Sequence, residues 1–245
     1  MNNKTKDTLF YLTIFIIYFV IALIIGNIFN NKSKKVVAIP EFNTPAIIID
    51  AGHGGEDGGA IATDGKTLEK DINLSIAKKL NNILKSNNIN TFMIRDTDES
   101  IYKKDSNKKT LRRKKVEDLR NRVNIANSND KNILISIHQN KFPDESLKGI
   151  QIFYSGNNEN SIKLANFLKE ELEKNLNKTD FRETKKSGKE VYLLNKVKVP
   201  AVIIECGFIS NKEELNNLIT EDYQNKLAQC IFSGLKNFLD ANISN

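Results

Sequence analysis

The chain holds two histidines among its 245 residues, and each stands at the end of an apolar, β-branched run. His53 follows AIIIDAG and is wrapped in glycines, G-H-G-G-E-D-G-G-A, while His138 closes ILISIH. Taken singly, either is an ordinary packed or surface residue. At the ends of two strands of one parallel sheet, both imidazoles would open into one crevice, where glycines let backbone approach closely. Two histidines and a carboxylate form the donor set of a catalytic zinc site, which leaves a fourth position open. Asp50, Glu56, Asp57 and Glu69 are the candidate third ligands. Glu69 begins the amphipathic stretch TLEKDINLSIAKKL, on a face apart from the Leu68, Ile72 and Ile76 stripe. A negative charge is also favoured there by the helix dipole. Asp50 and Asp57 suit a supporting role better, orienting the loop or accepting from a ligand imidazole.

Hydrolysis further needs a group that takes a proton from water and returns it to the leaving group. Glu205 ends the apolar run AVIIE, ahead of Cys206 and Gly207. A carboxylate buried in such a run is costly unless paired or used. Desolvation raises its pKa toward the range that serves acid–base work.

These residues need a scaffold, and the apolar pattern supplies one. AIIID (46–50), TFMIR (91–95), ILISIH (133–138), IQIFY (150–154) and AVIIEC (201–206) are short, β-branched and bounded by turn residues, which predicts strands. Helical spacing joins Leu68, Ile72, Ile76, Leu80 and Leu84; Val116, Leu119, Val123 and Ala126; Leu164, Leu168, Leu172 and Leu176; and Leu227, Ile231, Leu235 and Phe238. Near-continuous apolar strands between helices imply an α/β fold, a mixed and largely parallel sheet of about six strands flanked by helices on both faces. Its site is expected at the carboxyl ends of the strands.

The expected domain spans residues 46–245, behind a linker over 36–45 and a membrane anchor over 1–35. Leu9 to Phe29 is uncharged for 21 residues, long enough for a transmembrane helix across a hydrocarbon core of roughly 30 Å. A signal peptide has a shorter apolar region, about 7 to 15 residues, and the small-residue site Val36-Val37-Ala38 lies beyond three lysines, so an uncleaved anchor is expected. Residues 1–35 hold five lysines and one aspartate, leaving 32 basic against 29 acidic residues in the remainder of the +7 chain. One patch, Lys103 to Lys115, has eight basic residues and one acid, so the domain is mildly acidic elsewhere. That balance, with the anchor, excludes a nucleic-acid partner. The patch is either a solvated connection into a helix or a surface for an anionic polymer, membrane or partner protein. Cys206 and Cys230 sit in apolar surroundings and are expected to be buried free thiols.

Together, DAGHGGEDGGA (50–60), LEKDINL (68–74), LRNRVNIAN (119–127) with SIHQN (136–140), and ECGFISNKEE (205–214) resemble, in order, the motifs of zinc-dependent N-acetylmuramoyl-L-alanine amidases of the Amidase_3 type. The resemblance covers about residues 45 to 240. It implies that His53, Glu69 and His138 are the ligands of one Zn2+ per chain and that Glu205 is the catalytic acid–base. The substrate it implies is the amide between N-acetylmuramic acid and L-alanine in peptidoglycan, cleaved on the extracytoplasmic side of the membrane. Arg120 and Asn124, one helical turn apart, either contact substrate, brace the site or pair on a surface helix; Asn140 is a further candidate for substrate or support. One departure is Gln139, where many members carry a small or apolar residue, and it is expected to alter the groove.

The short chain, its apolar N-terminal segment and the lack of a wall-binding repeat make it most similar to the sporulation- and germination-specific members. That likeness implies a role in spore cortex maturation, on the way to muramic-δ-lactam, and an activating or anchoring protein partner. The alternatives are another zinc hydrolase of the wall, a deacetylase or carboxypeptidase, and a non-catalytic wall-binding or regulatory module.

Overall fold

A computed structural model describes residues 16–18, 20–21, 44–102, 110–176 and 181–243. The expected anchor and linker fall almost wholly outside the described residues, as do residues 103–109 of the basic patch. Among the described residues no helix is long and apolar enough to cross a membrane. The described residues from 44 to 102 and from 110 onward belong to one compact unit, which holds the sheet, its helices and the strand ends where a site is expected.

Six strands form one sheet in the order β2-β1-β3-β6-β4-β5: β1 (Ile47–Ala51), β2 (Thr91–Met93), β3 (Ile133–Asn140), β4 (Gln151–Tyr154), β5 (Lys185–Lys186) and β6 (Ala201–Phe208). β2, β1, β3 and β6 run parallel, β4 pairs antiparallel with β6, and β5 parallel with β4. The sheet is therefore mixed, as the apolar runs imply. β5 has no counterpart among the predicted strands, because both its lysines are exposed and it carries no apolar alternation.

The four helices of the apolar spacing are present: α1 (Glu69–Ser86), α2 (Leu111–Ala126), α3 (Asn160–Leu176) and α6 (Glu221–Ile243). Two more, α4 (Tyr192–Lys196) and α5 (Lys212–Leu218), are too short to show a 3.6-residue period. Asn211 caps α5 by accepting from the Glu214 amide at 3.0 Å, the usual role of such a residue at a helix start.

Odd-numbered β1 and β3 residues and even-numbered β6 residues face α1, α3 and α6. There Ile49, Ile135, Ile137, Val202 and Ile204 join Ile76, Leu80, Leu168, Leu227, Ile231 and Leu235 in one continuous core. Each fully buried aliphatic side chain contributes roughly 1.5–3 kcal/mol. The opposite face carries α2 and α4. Cys206 and Cys230 are buried thiols, as expected.

Candidate metal centre

The strand alternation that buries Ile135 and Ile137 turns His138 to the opposite face, at the carboxyl end of β3. Gly52 makes room for it: a Cβ there would lie 2.2 Å from His138 Nε2, so only glycine lets the ring rest against the β1 backbone. His53 adopts a left-handed backbone, φ 64°, uncommon for a residue with a side chain. Its carbonyl accepts from Arg122 Nη2 at 2.6 Å.

Glu69 is delivered by an unusual helix start. Leu68 at the N-cap provides no side-chain cap, and the Glu69 and Lys70 amides donate instead to the Ala60 and Gly58 carbonyls at 2.9 and 3.2 Å. Two of the orphan donors of the first turn are thus met by the glycine loop, and the Glu69 carboxylate is left facing the strand ends. Its Oε2 lies 3.1 Å from His53 Nε2, and its Oε1 lies 2.9 Å from His138 Nδ1. The two rings are 5.0 Å apart and steeply inclined, at 72°. Ala60 N donates to Oε2 at 2.9 Å, while Gln139 N donates to Oε1 at 3.2 Å.

Burial opposes the charge on Glu69, but hydrogen bonds from His138 and His53 hold its pKa well below the usual carboxylate range. Burial likewise opposes a charge on His53, yet its bonds to Asp57 and Glu69 raise it to about 9.

The donor atoms of His53, Glu69 and His138 all lie within 4.8 Å of one another. Two ligands on one tetrahedral zinc stand about 3.3 Å apart for metal–ligand bonds near 2.0–2.1 Å. The separations of 2.9 and 3.1 Å here need only a small opening, and the donor set fits. Asp57 Oδ2 sits 3.0 Å from His53 Nδ1, the carboxylate–histidine arrangement that fixes a ligand ring.

Glu205 is the register partner of His138 on β6. Burial raises its carboxyl to about 7, reinforced by Glu69 and opposed by the two histidines. Its Oε2 is buried with no hydrogen-bond partner among the described residues, so it is held next to the donors with a free lone pair. A cleft of about 340 Å³ opens beside them, lined by His53, His138, Lys115, Tyr102 and Tyr192 among others.

The other expectations fare unevenly. Asp50 is buried, and its carboxylate accepts from Ser136 Oγ at 2.7 Å and from Arg122; it reaches the loop through that arginine rather than through an imidazole. Glu56 is outside the cluster and pairs with Lys114 at 2.9 Å. Of the alternatives open for Arg120 and Asn124, bracing the site does not fit: both are exposed on α2, because the helical turn that buries Val123 and Ala126 points them to solvent. The same turn aims Arg122 and Asp118 inward, so the arginine that braces the site is Arg122, buried to 2% exposure. It stands in the same LRNRVNIAN motif, and its i, i+4 spacing from Asp118 was the available signal.

Asn140 engages through its carbonyl, which accepts from Ile209 N at 2.9 Å. Gln139 is the departure expected to alter the groove. Gln139 alternates away from the groove, is buried, and donates from Nε2 to Asn73 Oδ1 at 3.2 Å, behind Glu69. The described part of the basic patch starts α2, where Lys114 and Lys115 pair with Glu56 and Asp57; neither reading of the patch anticipated those pairs.

Both sequence and fold are shared with known proteins. The profile of the N-acetylmuramoyl-L-alanine amidases matches residues 47–237. A germination-specific N-acetylmuramoyl-L-alanine amidase of Bacillus subtilis (strain 168) is 34% identical over 235 residues, 96% of this chain and 95% of that one. Among solved structures, the CwlD amidase of Clostridioides difficile, in complex with the GerS lipoprotein, superposes with a TM-score of 0.76 at 40% identity, covering 81% of this chain and all of that one. An N-acetylmuramoyl-L-alanine amidase from Clostridium difficile 630 gives 0.69 at 30% identity, over 81% and 98% of the two chains.

Proposed function

Because this chain belongs to the N-acetylmuramoyl-L-alanine amidase family and is an amidase of peptidoglycan, we propose that His53, Glu69 and His138 hold one zinc ion and that Glu205 is its acid–base partner. The observation that carries this reading is the convergence of the three donors within 4.8 Å, with the unpartnered Glu205 oxygen on the adjoining strand.

The zinc, when bound, would polarise the lactyl amide carbonyl and make water acidic enough to attack it. Glu205, kept dry, takes a proton from the attacking water. It passes that proton to the L-alanine nitrogen as the carbon–nitrogen bond breaks, leaving a lactyl carboxylate on muramic acid and a free peptide amine. Asp57 holds Nδ1 of His53, so Nε2 is presented to the metal, and Glu69 is fixed by the Ala60 and Gln139 amides. Lys115, Tyr102 and Tyr192 form the wall against which the muramyl peptide lies.

The likeness to a germination-specific amidase over 96% of the chain supports placement in spore cortex maturation. There the stripped muramic acid becomes the substrate of a separate deacetylase on the way to muramic-δ-lactam. The neighbour solved with a lipoprotein supports an accessory protein for this enzyme as well. The 21 uncharged residues from Leu9 to Phe29 support an uncleaved anchor over 1–35, followed by a linker over 36–45 and the catalytic domain over 46–245, outside the membrane. Intact N termini on chains extracted from membranes would bear out the anchor, whereas mature chains starting near Ile39 would replace it with a signal peptide.

The reaction itself is tested by mass spectrometry of muropeptides digested with the zinc-loaded full chain. Release of intact stem peptide with a free L-alanine amine is the expected product. Release of acetate, or of a terminal D-alanine alone, would overturn the reading in favour of a deacetylase or carboxypeptidase.

A further inference from the structure

One stretch of chain grips the loop that carries His53 along its whole length. Arg95 donates from Nε to the Ala51 carbonyl at 2.8 Å and from Nη2 to the Gly52 carbonyl at 3.0 Å. Arg122 holds the His53 carbonyl at 2.6 Å, and Ser100 Oγ holds that of Gly54 at 2.8 Å. Asp98 Oδ1 accepts from Gly55 N at 2.8 Å. Lys114 then pairs with Glu56 at 2.9 Å, and Lys115 with Asp57 Oδ1 at 2.8 Å. Each residue from Ala51 to Asp57 thus has a polar partner between residues 95 and 122.

The two lysines look alike in sequence, but different things stand behind their partners. Glu56 is exposed and contacts Lys114 and Tyr102, neither of which is a metal-ligand candidate. Asp57 is held at both oxygens. Lys115 Nζ takes Oδ1, aided by a longer contact from Gly59 N at 3.4 Å, while Oδ2 faces His53 Nδ1 at 3.0 Å. A carboxylate held at one oxygen has less freedom to swing its other oxygen away from the ring.

We propose that Lys115 is a positioning residue, locking Asp57 so that Asp57 orients the His53 imidazole for the metal. The inference rests on the reading of His53, Glu69 and His138 as ligands. It gives part of the basic patch a role in the site: the start of α2 sets how firmly the centre binds its ion.

Removing a carboxylate that touches a ligand histidine typically lowers metal affinity by about 10–100-fold. Lys115 acts one contact further out, and its pair with Asp57 is partly exposed, where charge interactions are weaker. An effect of about 3–10-fold is expected on that basis.

The test is zinc affinity of the full chain by competition with a chromophoric chelator, for the native sequence, Lys115→Ala, Lys115→Arg and Lys114→Ala. Lys115→Ala should bind zinc about 3–10-fold more weakly, Lys115→Arg within about twofold of native, and Lys114→Ala also within about twofold. Native affinity in Lys115→Ala would overturn the proposal. So would an equal loss in Lys114→Ala, which would mean that the segment merely steadies the loop. Lys115→Gln, which keeps the stem, serves if the alanine variant melts early. His53→Ala separates this inference from the reading beneath it. If that variant keeps zinc, the ligand assignment fails; if it loses zinc while Lys115→Ala does not, only the positioning role falls.

Discussion

On the face packed against α1, α3 and α6, β1, β3 and β6 present Ile47, Ile49, Ala51, Ile133, Ile135, Ile137, Val202, Ile204 and Cys206, all in one apolar cluster. One residue along each strand, on the face toward α2, the same strands present buried Ile48, Leu134 and Ile203 and then, toward their carboxyl ends, a polar set of Asp50, Ser136, His138 and Glu205. Backbone geometry and pairing are shared, so the contrast lies wholly in side chains. The apolar face is held by burial, which is additive and forgiving. The polar face is held by specific partners, and Asp50 is secured by Ser136 and Arg122. A polar face of this kind is stable only while each partner is present, and it can keep Glu205 unsatisfied because the rest of the sheet is so firmly packed.

The contrast is tested hardest by Asp50→Ala. That change removes one of the two carboxylates facing the buried Arg122 guanidinium and leaves it Asp118; loss of one member of a buried pair costs up to about 3–5 kcal/mol. Urea unfolding of the metal-free chain should register that loss, with zinc affinity falling as well because Arg122 also holds the His53 carbonyl. Leu80→Ala on the apolar side is expected to lose about 2–5 kcal/mol while the folded fraction binds zinc as before. If Leu80→Ala weakened zinc binding as strongly as Asp50→Ala does, the two faces would not be separable.

Smaller effects come from protonation on the polar face. The Glu205 carboxyl is raised from its ordinary 4.5 to about 7 by burial. The folded metal-free protein therefore binds more protons than the unfolded chain, and its stability falls as pH rises from about 4.5 through 7. Glu205→Gln cannot ionise, so its metal-free form should match native near pH 4 and exceed it above pH 7 by on the order of 1–3 kcal/mol. Melting curves across that range check the sign.

On the proposed assignment, protonation of His53 works against the metal rather than against the base. Despite burial, its bonds to Asp57 and Glu69 raise it from 6.5 to about 9, and the stability it contributes is full below 6.5 and lost through 9. A metal needs the neutral ring, so zinc affinity should climb by up to about tenfold per pH unit between those values. Chelator competition at several pH values measures it.

Much of the fold and of the candidate site is legible in the sequence wherever one residue suffices to carry the signal. His53, Glu69, His138 and Glu205 stand at the ends of apolar runs or at a helix start, and the strands and long helices follow from their periods. What escapes depends on rotation or on distant partners. Arg120 and Arg122 differ by two residues, about 200° around a helix, and the motif alone does not say which faces the sheet. Gln139 reads from its motif as a departure that alters the groove, whereas strand alternation places it behind Glu69. The pairs of Lys114 and Lys115 with Glu56 and Asp57 bridge 58 residues, and no local pattern announces them.

The central question is which carboxylate holds the metal and which moves the proton. Zinc content and turnover on muropeptides, measured together on full-length Glu205→Gln and Glu69→Gln, decide it. Glu205→Gln should keep about one zinc and lose turnover by a factor on the order of 10²–10⁴, while Glu69→Gln should lose the zinc itself. A Glu205→Gln chain without zinc beside a Glu69→Gln chain that retains it would reverse the two roles and contradict that assignment.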